Sequence, residues 1–353
     1  MRMQLASVTI GLTVSLSLAE AQTLLTLPEA SQRASVTQRL GITDISILYH
    51  RPLVNGRKVW GGLVPYDQVW RAGANENTTI SFSDPVSVEG ASLPQGTYGL
   101  HMIPGTDQWT VIFSKNSSAW GSFSYEPAED ALRVKVKPQP SEMHEALTYD
   151  FDDVKPDSAT VTMRWEKLAV PFHVSVEEKQ LTMARLRDEL RGGLQYRWEG
   201  WAEAANYSLI NKIDLDQGLK WADAAIGQEE RYDTLMLKAQ LLDALNRNGD
   251  AASIKKRAIE MANATQLYFY GRQLQLVMKK PDEAMAVFRQ TAQRFPDHWL
   301  GHMASAPLSS ASGDYDKALA EIKAALVAGA PDQQKPGIAN YMKRLEAHED
   351  INK

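Results

Sequence analysis

The chain has 353 residues, 44% of them hydrophobic and 23% charged, with a formal net charge of −5 and no cysteine. That length exceeds what a single core ordinarily fills, so two domains are expected. A mild negative charge with no sustained basic run excludes a nucleic-acid footprint. The missing cysteine excludes disulfides, thiolate metal sites and a thiol nucleophile.

Residues 1–21 read as a signal peptide. Arg2 supplies the positive start, Leu5 to Ala19 is an uncharged and mostly apolar run, and Ala19-Glu20-Ala21 has the small-x-small form of a cleavage site. Cleavage is expected after Ala21, and the run is too short for a membrane span. The segment lacks the cysteine that a bacterial lipid anchor needs. The expectation is an exported protein, periplasmic or extracellular, with residues 22–33 as a linker.

From 34 to 176 the pattern is all-β. Short runs rich in Val, Ile, Thr and aromatics (Asp44–Tyr49, Thr78–Ser83, Thr97–Ile103, Trp109–Ser114, Leu132–Lys137, Ala159–Trp165, Val170–Val176) are separated by turn signals such as Glu89-Gly90, Pro104-Gly105 and Pro156-Asp157. Many short strands at this spacing predict a sandwich or an open barrel, and the sandwich is taken as the fold of this domain. Strict alternation over Val170–Val176 predicts one buried and one wet face. The same alternation puts His101 on the polar side of its strand.

After Val176 the period changes from two to about 3.6. Residues 177–194 form a connecting helix that Gly192-Gly193 terminates. Residues 195–353 read as helical and repetitive. Asp216, Asp250, Asp282 and Asp316 each open a helix, at spacings of 34, 32 and 34 residues, and a second helical stretch precedes each one. Two helices per period of about 34 is the signature of tetratricopeptide-like repeats, here four degenerate units and a terminal helix; an irregular array of helical hairpins is the alternative. Stacked hairpins curve and form a concave groove, in which Tyr232, Tyr268 and Trp299 would either face a protein partner or fill the space between helices.

The segment from His50 to Asn77 has neither strand nor helix periodicity. It carries Trp60, Tyr66, Trp70, Arg51, Arg57, Arg71 and four glycines. Arginine recognises carboxylate or phosphate through two parallel hydrogen bonds and stacks on aromatic rings. One reading is therefore a small anionic or carbohydrate ligand held by Arg51, Arg57, Tyr66, Trp70, Arg71 and Asn75. The other is that the arginines pair with local carboxylates and carbonyls to brace an irregular loop.

No catalytic constellation emerges. His298 and His302 are four apart on a helix, but Trp299 stands where a zinc-protease helix has its Glu. Asp150 and Asp152 share a strand face as edge charges do. There is no Gly-x-Ser-x-Gly elbow and no phosphate loop. No metal and no cofactor are expected, and His50, at the mouth of the loop, is the one histidine placed to act as an acid or base.

The residues of this loop also resemble a family. Arg51-Pro52, Gly56-Arg57, Gly61, Leu63-Val64-Pro65-Tyr66, Val69-Trp70-Arg71 and Gly73-Ala74-Asn75, followed by Gly96-Thr97-Tyr98, Trp109-Thr110-Val111-Ile112, Trp120-Gly121 and Trp165-Glu166, are similar to a family of exported bacterial domains of unknown function. The resemblance spans roughly Leu27 to Val176. It implies a secreted β-rich domain, often followed by helical repeats, and no agreed activity. The expected function is binding, with a protein partner on the repeats. An envelope hydrolase or lyase centred on His50, and a periplasmic scaffold, are the alternatives.

Overall fold

The computed structural model describes residues 28–353; the segment expected to be a signal peptide, with its expected cleavage after Ala21, lies outside the described residues. Contacts divide the chain into two compact units, with the boundary along the chain between Glu178 and Lys179.

The first unit is an antiparallel β sandwich. Ten strands run in chain order: β1 (Gln32–Leu40), β2 (Thr43–Arg51), β3 (Thr79–Phe82), β4 (Val86–Val88), β5 (Ala91–Leu93), β6 (Gly96–Ile103), β7 (Trp109–Ser114), β8 (Asp130–Val136), β9 (Gln139–Asp152) and β10 (Ser158–Ser175). One sheet has the order β1-β2-β3-β6-β7-β8, the other β5-β4-β10-β9. Ile45, Ile47, Ile80, Leu100, Val111 and Phe113 from the first sheet, and Val161, Met163, Phe172 and Val174 from the second, are fully or almost fully buried. Alternating side chains of facing sheets make such a core. Val170, Phe172, Val174 and Val176 are buried while His173 is exposed, as the alternation predicts.

Two local expectations change. Ala159–Trp165 and Val170–Val176 are one strand, β10, whose register against β9 shifts on either side of Glu166. Glu166 has φ of 55°, so a bulge bends the strand where the sequence reads as a break. His101 does not face water. It is 2% exposed, because the segment after β7 covers that face of β6: its Nδ1 lies 2.9 Å from Ser122 Oγ, and the Tyr125 ring is 5.3 Å away.

The second unit is all helix. After α1 (Glu178–Glu189), helices pair as α2 (Trp198–Asn211) with α3 (Leu215–Gln228), α4 (Tyr232–Ala244) with α5 (Asn248–Met261), α6 (Ala264–Leu276) with α7 (Pro281–Arg294), and α8 (Trp299–Ala311) with α9 (Tyr315–Val327). A last helix, α10 (Lys335–Glu346), packs on α9. Asp216, Asp250, Asp282 and Asp316 all lie in the first turn of the second helix of a pair, where a carboxylate meets the positive end of the helix dipole. Small residues set the spacing. A Cβ on Gly301 of α8 would fall 1.9 Å from the Phe295 carbonyl oxygen.

Candidate functional site

The long loop is ordered because it is tied down at both ends. Near its start, Val54 N–H donates to Glu145 O (2.8 Å) and Pro52 O accepts from Leu147 N–H (3.1 Å), both on β9. Further on, Trp70 and Met102 exchange backbone hydrogen bonds of 2.8 Å in both directions, so the loop continues the ladder along β6 beyond the end of β3. Buried backbone groups are satisfied in this way although the segment has no regular structure.

Its two tryptophan rings pack against the core. Trp60 and Trp70 meet Trp109 and Trp165: the Trp60 ring centroid is 4.9 Å from that of Trp109 and 5.6 Å from that of Trp165, and Trp70 stacks on Trp165 at 5.8 Å. Trp109 and Trp165 are each 1% exposed. The Trp70 indole N–H donates to Gly73 O at 3.1 Å. Tyr66 is half exposed, and its ring covers Gly61, where a Cβ would come within 2.8 Å of Tyr66 Cε2.

The three arginines have three separate settings. Arg51 Nε donates to Leu147 O at 3.0 Å. Arg57 closes its own turn, with Nε on Val54 O at 3.1 Å and Nη2 on Leu53 O. Both direct their guanidinium groups at main-chain carbonyls. Arg71 differs. It is partly buried, it has no carboxylate partner among the described residues, and its buried Nε has no hydrogen-bond partner. Desolvation by burial holds its pKa below the ordinary arginine value. A Cβ on Gly121 would lie 2.2 Å from Arg71 Nη1, and the Phe123 ring, 84% exposed, is centred 5.7 Å from the guanidinium carbon. The Trp120-Gly121 pair of the sequence motif thus borders this guanidinium.

At the mouth of the loop the fold makes an association that the sequence pattern does not reveal. His50, at the end of β2, is 6% exposed, and its Nε2 lies 3.2 Å from Glu29 Oε2 and 3.3 Å from Glu76 Oε2. Asn75 Nδ2 donates to the same Glu29 oxygen at 2.8 Å. Among the described residues, Glu29, His50 and Glu76 form a group whose ligand atoms lie within 4.8 Å of one another. Glu29 and Glu76 are 21 residues before and 26 after His50, and no motif with such spacings exists to find them by. His298 and His302 do not share a site: His298 Nδ1 accepts from Leu300 N–H at 3.1 Å, and His302 Nδ1 lies 2.7 Å from Glu321 Oε2. Asp152 pairs with Arg164 at 2.5 Å and accepts from Thr162 Oγ1 at 2.6 Å.

In the helical unit, α2 and α4 border a cleft of about 470 Å³ to which Gln273 of α6 contributes. Its apolar lining is Trp198, Ala202, Tyr232, Met236 and Leu237. Glu203 and Asp233 are exposed there, without ion-pair partners among the described residues. Burial, followed by the neighbouring Tyr270 and Asp233, pushes the Tyr232 hydroxyl up to about 12, so it is a neutral hydrogen-bonding group. Tyr268 and Trp299 border a different cleft of about 340 Å³, together with Ile338 and Tyr341 of α10. Tyr268 is buried and Trp299 half-buried.

These observations define a class: an antiparallel β sandwich with a structured arginine- and tryptophan-bearing loop, joined to an array of tetratricopeptide-like helical hairpins. The sandwich, residues 31–174, matches the family model described as "Protein of unknown function (DUF2911)". No curated protein matches the chain. A solved structure described as "Crystal structure of YrrB: a TPR protein with an unusual peptide-binding site" is similar at 13% identity over 46% of this chain and 82% of its own, with a TM-score of 0.29. Among the described residues no helix is long and apolar enough to cross a membrane.

Proposed function

We propose that this is an exported binding protein whose helical array captures an extended, basic segment of a protein partner in the cleft between α2 and α4. The observation that carries the reading is the lining of that cleft: apolar Ala202, Met236 and Leu237, the aromatic residues Trp198 and Tyr232, unpaired carboxylates on Glu203 and Asp233, and the amide residues Asn206, Gln240 and Gln273. Apolar anchors surrounded by a polar rim characterise partner-binding surfaces. Amides at intervals can bond the main chain of an extended peptide, and the carboxylates favour lysine or arginine at its flanks. Selection of a random peptide library against the full chain tests it. Enriched peptides should be basic, and Glu203→Lys with Asp233→Lys should weaken them at least tenfold while leaving the melting temperature unchanged. Enriched peptides that bind the double variant equally well would refute the cleft.

For the β domain the proposal narrows to Arg71. Arg51 donates through Nε to a carbonyl, Arg57 binds two carbonyls, and Trp60 and Trp70 pack in the tryptophan cluster, whereas the Arg71 guanidinium has no hydrogen-bond partner among the described residues and lies beside the exposed Phe123 ring. A small anion there would receive the bidentate pairing that arginine offers. Export rests on the N-terminal signal pattern.

A further inference from the structure

We infer that Glu29, His50 and Glu76 form a binding site for a divalent transition-metal ion of the zinc class. The donor set is one imidazole nitrogen and two carboxylate oxygens, the mixed N/O chemistry that such ions favour over calcium or magnesium, which prefer oxygen alone. The distances fit. Donors held about 2.0–2.2 Å from a tetrahedral zinc ion are separated from one another by about 3.3–3.6 Å. His50 Nε2 lies 3.2 Å from Glu29 Oε2 and 3.3 Å from Glu76 Oε2, longer than the roughly 2.7–2.9 Å of a charge-assisted hydrogen bond.

Charge points the same way. Two carboxylates converge on a single buried imidazole with no lysine or arginine paired to either among the described residues. Arg33, opposite His50 in the β1–β2 register, lines the adjoining cavity without an ion pair to them. Asn75 donates one hydrogen bond to Glu29, which leaves most of the negative charge uncompensated. A divalent cation would neutralise it.

The surroundings supply a second, independent observation. Asn77, more than nine-tenths buried beside His50, has a side-chain oxygen, Oδ1, without a hydrogen-bond partner, whereas the unpaired His50 Nδ1 is on the side of the ring away from the carboxylates. Both residues line a cavity of about 640 Å³ beside the two carboxylates. Buried polar atoms are rarely left unpaired without a ligand, water or ion nearby. Three protein ligands facing a cavity leave a fourth position for water or an anionic ligand, the arrangement that distinguishes open zinc sites from closed structural ones. The ion would also clamp the chain just before β1, the end of β2 and the far end of the long loop, three segments distant in sequence.

The test uses the full chain, stripped with a chelator and free of any affinity tag, with Zn²⁺ as the probe. Competition against a chromophoric chelator should give one equivalent bound, and Zn²⁺ should raise the melting temperature. Glu29→Gln and Glu76→Gln preserve side-chain shape at half-exposed positions and should each weaken Zn²⁺ at least about tenfold and abolish the thermal shift. Co²⁺ substitution should give the intense visible bands of a low-coordinate site in the wild type and lose them in both variants. No saturable binding, or binding that both variants retain, would overturn the assignment. So would a wild type unmoved by Zn²⁺ whose two variants melt lower without metal, since the carboxylates would then be simple hydrogen-bond partners of His50.

Discussion

Acid should weaken the β sandwich through His101. Burial pushes its imidazole down from 6.5 to about 4, opposed by the charge of Asp130, and the ring is enclosed by Ser122 and Tyr125. The Asp130 carboxylate is itself engaged by the Tyr125 hydroxyl and Arg133. The folded state therefore holds the ring neutral, whereas the unfolded chain protonates near 6.5. The contribution of this residue is complete above pH 6.5 and declines as pH falls toward about 4. At about 1.4 kcal/mol per pH unit, the loss totals on the order of 3 kcal/mol across that interval. His101→Gln keeps hydrogen-bonding capacity toward Ser122 and cannot titrate. Urea unfolding of both proteins between pH 7 and pH 5 should show the wild-type advantage shrinking by about 2 kcal/mol. All carboxylates titrate in both proteins, so the difference isolates the imidazole. A difference that stays constant over this range, or a native imidazole resonance titrating near 6.5, would refute the reasoning.

Arg71→Met should leave the ligand-free stability unchanged or raise it by up to ~1 kcal/mol, because an unpaired, partly buried cation is replaced by an apolar side chain at the cost of one exposed cation–π contact. In thermal melts, small organic anions should stabilise the wild type and not this variant; a loss of more than ~2 kcal/mol would mean that the guanidinium has a structural role. Gly301→Ala should destabilise the helical unit by about 1–3 kcal/mol, since the new methyl meets main chain that cannot swing aside. Circular dichroism melts at 222 nm measure this, and an unchanged midpoint would show that α8 shifts at little cost.

Both architectures are legible in the order of residues along the chain. Period-two alternation predicts strands wherever one face is wet, and the recurring aspartates mark the second helix of each pair, because a carboxylate at a helix start has a local electrostatic reason that does not depend on the rest of the fold. Burial on both faces was less legible. His101 sits on the polar side of an alternating pattern and is nevertheless enclosed, since what covers it is a segment some twenty residues further along the chain. The loop shows the same limit. Its composition of arginine and tryptophan is compatible with holding a ligand or with bracing a turn, and only tertiary structure assigns Trp60 and Trp70 to a shared cluster with Trp109 and Trp165, Arg51 and Arg57 to carbonyls, and Arg71 to an unpaired position. His50 stood out as a lone histidine beside the loop, but its carboxylate neighbours come from before β1 and from the loop's far end. Periodicity and capping are written within a few residues, whereas a convergence of side chains depends on which distant backbones the fold brings side by side.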